Sequence, residues 1–440
     1  MAENVQGAEG GARVTGLLVA TAVVSAIAGF LYGYDTGIIS GALLQIADEF
    51  KIGHGWQQVI AAGILVGAVI GALVGARVSE RFGRKRTILV ISAVFVIGTI
   101  ACSLAPTALT LALSRVLLGM GILTATIVGA TQLFDWRWMV GIASVPAALL
   151  LLLMLRAPES PRWLVKVDRV DDARSNLRRV RGEGDVDAEL DEIVAVEEEE
   201  RRAPVSGWKG LSQPWVRPAV IMGCGMALFT QLSGIEMIVY YTPTILTNVG
   251  FAEASALYVS VSLAVTYVIM NCLGLAIVDR VGRRKLSLIM TPGAALALAV
   301  LGAVFVFGAD SASTAPFIVA CLIAFMLFTA GGLQVMGWLT GSEVYPLGVR
   351  GAGTSAQAAT LWGSNVIITL TLLTTIETIG VGQTMWMYAG FNVLAFLFVL
   401  RYFPELAGRS LEDIETSLRE DTFRPGGVPI RDEAEEKVAT

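Results

Sequence analysis

Two ionisable residues stand in apolar surroundings: Asp35, in Gly33-Tyr34-Asp35-Thr36-Gly37-Ile38, and Arg115, in Leu113-Ser114-Arg115-Val116-Leu117. A charge in such a run is costly, so it is expected to face a cavity and to have a task. A carboxylate that exchanges a proton beside a guanidinium is a switch with two electrostatic states; the bland alternative is a structural buried ion pair. Other chemistry finds little support. The four cysteines lie in apolar runs without metal-ligand spacing, and they read as small hydrophobes. No zinc-protease, hydrolase-elbow or Walker signature is present, so neither an enzyme nor ATP-driven transport is expected. No cofactor is implied. The lone histidine, His54, sits in a polar loop and reads as solvated and uninvolved.

The elements that must position these residues follow from composition. The chain has 440 residues, 55% hydrophobic and 16% charged, with net charge −5, and a mean hydropathy of +0.67. Charged types fall well short of the ~25% of a soluble domain, which excludes an ordinary cytosolic enzyme, a disordered chain and a nucleic-acid binder. Apolar segments of bilayer length run over 15–33, 57–76, 87–105, 108–134 and 138–155. They resume at 216–246, 254–278, 286–308, 315–341, 353–378 and 384–403. An all-α polytopic membrane protein is expected, its first helix a retained span and not a removed signal. The organisation reads as an N-terminal bundle 1–155, an amphipathic linker 156–215, a C-terminal bundle 216–403 and a tail 404–440. Val170, Ala173, Leu177 and Val180, then Leu190, Ile193 and Val194, predict short helices in the linker. The basic loops, the linker and the tail should be cytoplasmic.

Two of those loops repeat. Glu80-Arg81-Phe82-Gly83-Arg84-Lys85-Arg86 returns as Asp279-Arg280-Val281-Gly282-Arg283-Arg284-Lys285. A shared turn at matching places in two halves implies duplication, the architecture of alternating access. Glycine permits the turn, the acid can cap a helix, and the arginines can pair with carboxylates at neighbouring helix ends. Positive-inside charge alone is the simpler reading.

With these loops on the page, the chain resembles the sugar porters of the major facilitator superfamily. Gly33–Gly41 is similar to that family's first-helix signature, and Arg156-Ala157-Pro158-Glu159-Ser160-Pro161-Arg162-Trp163-Leu164 to the stretch after its helix 6. Gln231-Leu232-Ser233-Gly234-Ile235-Glu236, running on to Tyr240-Tyr241-Thr242-Pro243, resembles its helix-7 motif. Glu343-Val344-Tyr345-Pro346 with Arg350 resembles the end of helix 10, and Pro404-Glu405 through Glu412 the C-terminal element. The resemblance implies two six-helix bundles around a central cavity and transport of a monosaccharide or polyol. In the similar xylose/proton symporters an aspartate and an arginine at the positions of Asp35 and Arg115 form the coupling pair; passive glucose carriers have asparagine in place of the aspartate. Sugars require hydrogen-bonding groups and flat apolar faces, which the resemblance assigns to Tyr32, Gln231, Glu236, Tyr240, Trp338, Trp362 and Asn365. Interfacial anchoring fits Trp136, Trp138 and Trp386 better. Glu80, Arg81, Arg84, Asp279, Arg280, Arg283, Glu159, Arg162, Glu343 and Arg350 would form a cytoplasmic gate. Thr230 and Glu236 depart from the motif's glutamine and asparagine, and Gln334-Val335 from its Gly-Pro. Glu236 could bind hydroxyls or act as a second proton site.

The N-terminal half is short. Gly119-Met120-Gly121 runs into a stretch similar to the outer half of helix 5, so eleven apolar regions are counted, one of them re-entrant about Gly119–Gly121. A single crossing by 108–134 would invert every later span against the basic loops. Carboxylate partners for Arg81 and Arg84 are lost with that segment, so the N-terminal lock should be weak, while Glu343 and Arg350 keep the C-terminal one. The reading is a proton-coupled sugar or polyol symporter of the inner membrane, monomeric, with both termini cytoplasmic and the lipid bilayer as its surroundings. A passive uniporter and a sugar-binding remnant or sensor that does not transport remain open.

Overall fold

The computed structural model describes residues 39, 42–43, 45–119, 141, 143–181, 186–202, 207–308 and 314–426. Asp35 and Tyr32 lie outside them, as do the first apolar segment 15–33 and the Gly119–Gly121 turn beyond Gly119. Among the described residues the structure is helical throughout, without a strand. The N-terminal half contains α1 (His54–Phe82), α2 (Arg84–Ser103), α3 (Ala108–Gly119) and α4 (Ser144–Arg156). Four short helices follow: α5 (Pro161–Lys166), α6 (Val170–Arg181), α7 (Val186–Arg202) and α8 (Gly207–Gly210). The C-terminal half comprises α9 (Arg217–Leu232), α10 (Ile235–Asn248), α11 (Glu253–Val281), α12 (Arg283–Phe307), α13 (Ala315–Gly331), α14 (Leu333–Glu343), α15 (Arg350–Ile379) and α16 (Val381–Tyr402). Helix α17 (Leu411–Arg419) closes the described chain with a capping box, Ser410 and Asp413 bonding reciprocally.

Eight described helical segments are long and apolar enough to cross a membrane. Their outer faces carry exposed Val90, Ile289, Leu296 and Phe317, whereas Gln231, Asn365 and Thr369 are buried. That inversion suits a hydrocarbon solvent, where packing and internal hydrogen bonds hold helices together. Two of the apolar runs are discontinuous. The 216–246 run breaks between α9 and α10 at Gly234 (φ +92°), and the 315–341 run breaks between α13 and α14 at Gly332 (φ −120°, ψ −98°). Hydropathy treats each as one helix, because the break replaces one or two residues inside an unbroken apolar stretch.

Local contacts place the ends. The Lys85 amide donates to Glu159 after α4, and the Arg283 amide to Glu405 after α16, so both basic turns lie with the exits of α4 and α16. Helix α15 runs antiparallel to α1: His54 meets Glu377, and Gln58 meets Thr374 at 3.3 Å. Phe82 and Arg350 therefore share the opposite end with both basic turns. Gly141 lies against Ser103, at the non-basic end of α2 where α3 begins: a Cβ on it would sit 3.5 Å from that of Ser103. The chain therefore leaves Ala108 and returns at Gly141 on one face, and all the basic loops fall on the other. The stretch 120–140, on which the choice between a single crossing and a re-entrant path rests, lies outside the described residues. In the linker, Leu164, Val165, Ala173, Leu177, Val186 and Leu190 bury a small core of their own.

Candidate substrate site and gate

The breaks in α9–α10 and α13–α14 meet. Thr230 Oγ1 donates to the Leu333 carbonyl (3.0 Å) just past the second break, while also within 2.7 Å of the Met226 carbonyl. Gly337 gives it room; a Cβ there would come within 2.5 Å of Thr230 Oγ1. Asn392 Nδ2 donates to the Ser233 and Tyr388 carbonyls (both 2.9 Å), so α16 supports the loosened backbone before Gly234. Thr230, a departure from the family motif in sequence, is thus the clamp between two broken helices.

Around this junction the polar side chains are buried and incompletely partnered. Gln231, Glu236, Gln334 and Asn365 are each at most 5% exposed. Gln231 Nε2 and Oε1, Glu236 Oε2, Gln334 Oε1 and Asn365 Nδ2 have no hydrogen-bond partner among the described residues. Each such orphan costs about 1–3 kcal/mol when nothing fills it, and a group of them reads as an interior prepared for a polar ligand. Gln334 Nε2 donates to Tyr267 Oη (3.1 Å), which holds the amide in place. Glu236 is the second residue of α10, where helix amides favour negative charge, and Tyr240 follows one turn later on the same buried face. Trp362 is buried and Trp338 half-exposed, their rings edge-to-face with centroids 5.7 Å apart. Trp386 donates to the Ala299 carbonyl (3.0 Å) from an exposed position.

Arg115 is buried to 1% exposure, and its Nε donates to the Ile60 carbonyl of α1 (2.8 Å). Helix α3 approaches α1 closely enough for this at Gly63, where a Cβ would come within 2.8 Å of the Ala112 carbonyl. Tyr241 Oη donates to the Thr369 carbonyl (3.2 Å), and Thr369 Oγ1 donates to Asn365 Oδ1 (3.0 Å). Hydrogen bonds therefore lead from Tyr241 through Thr369 to Asn365 of the orphaned set. Its proposed acid, Asp35, lies outside the described residues, as does Tyr32.

The basic end carries two matching turns. Gly83 (φ +92°) and Gly282 (φ +95°) occupy a conformation that glycine reaches without strain. A Cβ on Gly83 would collide with Glu159, and one on Gly282 with Glu405. Glu159 accepts from the amides of Lys85 and Ser160 (both 2.9 Å). Glu405 accepts from those of Arg283 (2.7 Å), Arg284 (3.2 Å) and Lys285 (3.4 Å). The expectation that the loop's own acid caps the helix is corrected for the second turn: Asp279 pairs with Arg283 at 2.7 Å instead. Glu343 is held by Arg283 (2.7 Å), and Arg350 Nε donates to the Tyr345 carbonyl (3.3 Å). In the first half, Arg84 is exposed and meets no carboxylate among the described residues. Arg81 lies over the Phe82 ring at 5.5 Å, Arg280 is exposed, Arg162 is the second residue of α5, and the Glu80 side chain is outside the described set.

His54 is not an idle loop residue. Its Nδ1 bonds Glu377 of α15 and joins the halves at the end opposite the basic turns. Sequence reasoning also passed over Glu405, Tyr241, Tyr267 and Thr369. The dipeptide Pro404-Glu405, which repeats Pro158-Glu159, was the available signal for the first; polar types inside apolar spans were the signal for the others.

Comparison with known proteins agrees with this architecture. The family model described as "Sugar (and other) transporter" matches residues 21–133 and 120–418. A D-xylose transporter of Levilactobacillus brevis is 32% identical over 90% of this chain and 95% of its own length. A galactose-proton symporter of Escherichia coli (strain K12) is 32% identical over 90% and 93% respectively, as is the major myo-inositol transporter of Bacillus subtilis (strain 168). The solved proton:xylose symporter bound to 6-bromo-6-deoxy-D-glucose superposes with a TM-score of 0.74 at 22% identity, covering 91% of this chain and 98% of that one, a likeness of fold. The chain belongs to the sugar (and other) transporter family, as a multi-pass membrane transporter and not an enzyme.

Proposed function

We propose that this transporter carries a monosaccharide or polyol inward by proton-coupled symport across the inner membrane, with both termini and the basic end in the cytoplasm. The observation that carries the reading is the set of buried, orphaned polar atoms on Gln231, Glu236, Gln334 and Asn365, together with the edge-to-face Trp338–Trp362 pair. A ring with several hydroxyls would satisfy those atoms and stack its C–H face on the indoles. Relatives named for D-xylose, myo-inositol and galactose–proton transport support the substrate class. The sugar would bind from outside with Asp35 protonated, and the halves would rock about the site. Release of the proton inward would let Asp35 re-form its pair with Arg115.

Uptake into proteoliposomes tests this. Wild type should accumulate sugar uphill until an uncoupler is added. Asp35→Asn should abolish accumulation and keep exchange, and Trp338→Ala should weaken sugar binding by about tenfold, the loss of one aromatic contact. Uncoupler-insensitive uptake would make the protein a passive uniporter; binding without uptake would make it a non-transporting remnant.

A further inference from the structure

The α13–α14 break at Gly332 lies just upstream of Gln334-Val335, the place where the family motif has Gly-Pro. Close packing dictates its position. A Cβ on Gly331 would come within 2.9 Å of the Met270 methyl of α11, and one on Gly332 within 2.6 Å of Met290 Cβ of α12, which leaves no room for a side chain there. The glycine pair thus supplies the break, and the positions that follow are free to carry side chains.

Gln334 uses that freedom in the interior. It is 3% exposed, and its amide nitrogen donates to Tyr267 Oη of α11 at 3.1 Å. With the nitrogen committed, the carbonyl oxygen is the atom this side chain offers, and it meets no donor among the described residues. An amide used only to tie α14 to α11 would leave that oxygen unsatisfied, a cost that leucine of similar volume avoids. Two features connect Gln334 with the solute site. Its neighbour Leu333 accepts from Thr230 where the two breaks meet. Trp338 stands four residues on, so amide and indole share one face of α14, and that indole packs edge-to-face on Trp362. An aromatic surface with an amide one turn away suits a hydroxylated ring.

We propose that Gln334 is a specificity-determining residue and Tyr267 its positioning residue. The Gln334 carbonyl oxygen accepts a hydrogen bond from one hydroxyl of the solute lying against Trp338, and the Tyr267 hydroxyl holds the amide nitrogen so that this oxygen stays turned to the site. The inference rests on the reading of this junction as a sugar or polyol site. It adds a polarity: the solute must donate here, so a fluorine, which cannot donate, does not replace that hydroxyl.

Equilibrium binding of xylose, galactose and myo-inositol to the purified full chain in detergent tests this, followed by the monodeoxy and monofluoro analogues of the tightest of the three. For one hydroxyl, both analogues should bind wild type about tenfold more weakly than the parent, the loss of one buried hydrogen bond. Gln334→Leu should abolish that penalty at that hydroxyl alone, with thermal stability kept or raised. Tyr267→Phe, which keeps the ring, should lower the same penalty to about threefold and leave the other hydroxyls as they were; a merely structural tyrosine would weaken every analogue alike. Penalties unchanged in both variants, or a fluorinated analogue that binds as the parent does at the affected hydroxyl, would overturn the proposal and leave the sugar or polyol reading standing. Failure of all three parent compounds to bind wild type would overturn that reading, and this inference with it.

Discussion

The two basic turns are built alike and held differently. Each has a left-handed glycine, an acid from just beyond its half's last helix seated on that glycine, and a helix whose first amides the acid accepts. Beyond this local device they diverge. Arg283 is 11% exposed and bonded to both Glu343 and Asp279, whereas Arg84 is exposed. The turn is a short-range object and survives in both halves. The lock needs a second helix to deliver a carboxylate across the bundle, and the described first half shows none doing so.

The largest test of that difference is removal of the arginines one at a time. Arg283→Ala leaves Glu343 (22% exposed) without its cation and should cost about 2–3 kcal/mol, as loss of one partner of a part-buried charged pair does. Arg84→Ala should change stability by no more than about 0.5 kcal/mol, as surface substitutions do. Thermal unfolding of the purified protein in one detergent reads both. Equal losses would mean that the halves are locked alike and that the comparison is mistaken.

The acids sharpen the comparison from the other side, because there the halves should agree. Glu405 accepts from three successive helix amides and Glu159 from one. Glu405→Ala should therefore cost about 2 kcal/mol and Glu159→Ala about 1 kcal/mol, the range of a lost helix cap with its dipole contribution. The same unfolding measurement decides. A loss at Glu405 with none at Glu159 would show that the first turn is not held by its acid.

What could be read from sequence follows the same divide between local and distant. The paired turns, the apolar spans and the membrane-protein class come from residues close together in the chain, and the family resemblance added the bundle architecture. The helix breaks were hidden, because Ser233-Gly234 and Gly331-Gly332 sit inside runs whose hydropathy does not dip. Thr230 and Gln334 could be noticed only as departures from a motif; their roles require the α9–α14 contact and Tyr267 of α11. That Arg283 is the cation on Glu343 could not be read locally, because the two lie 60 residues apart. Nothing local could have joined His54 to a glutamate 323 residues away.

That last pair gives the smallest effect, and it contrasts the two ends of the molecule. His54 and Glu377 join the halves with side chains 32% and 53% exposed, so their bond stands in high-dielectric surroundings. Glu377→Gln or His54→Ala should each lower stability by less than about 1 kcal/mol, the range of exposed ion pairs. Raising the salt to about 1 M, where the screening length is about 3 Å, should erase the difference from wild type. The Arg283→Ala loss at the basic end should persist in the same salt, because that pair is largely shielded from water. If both losses faded together, the second-half lock would be as superficial as the histidine contact, and the asymmetry between the two basic turns would carry no energetic weight.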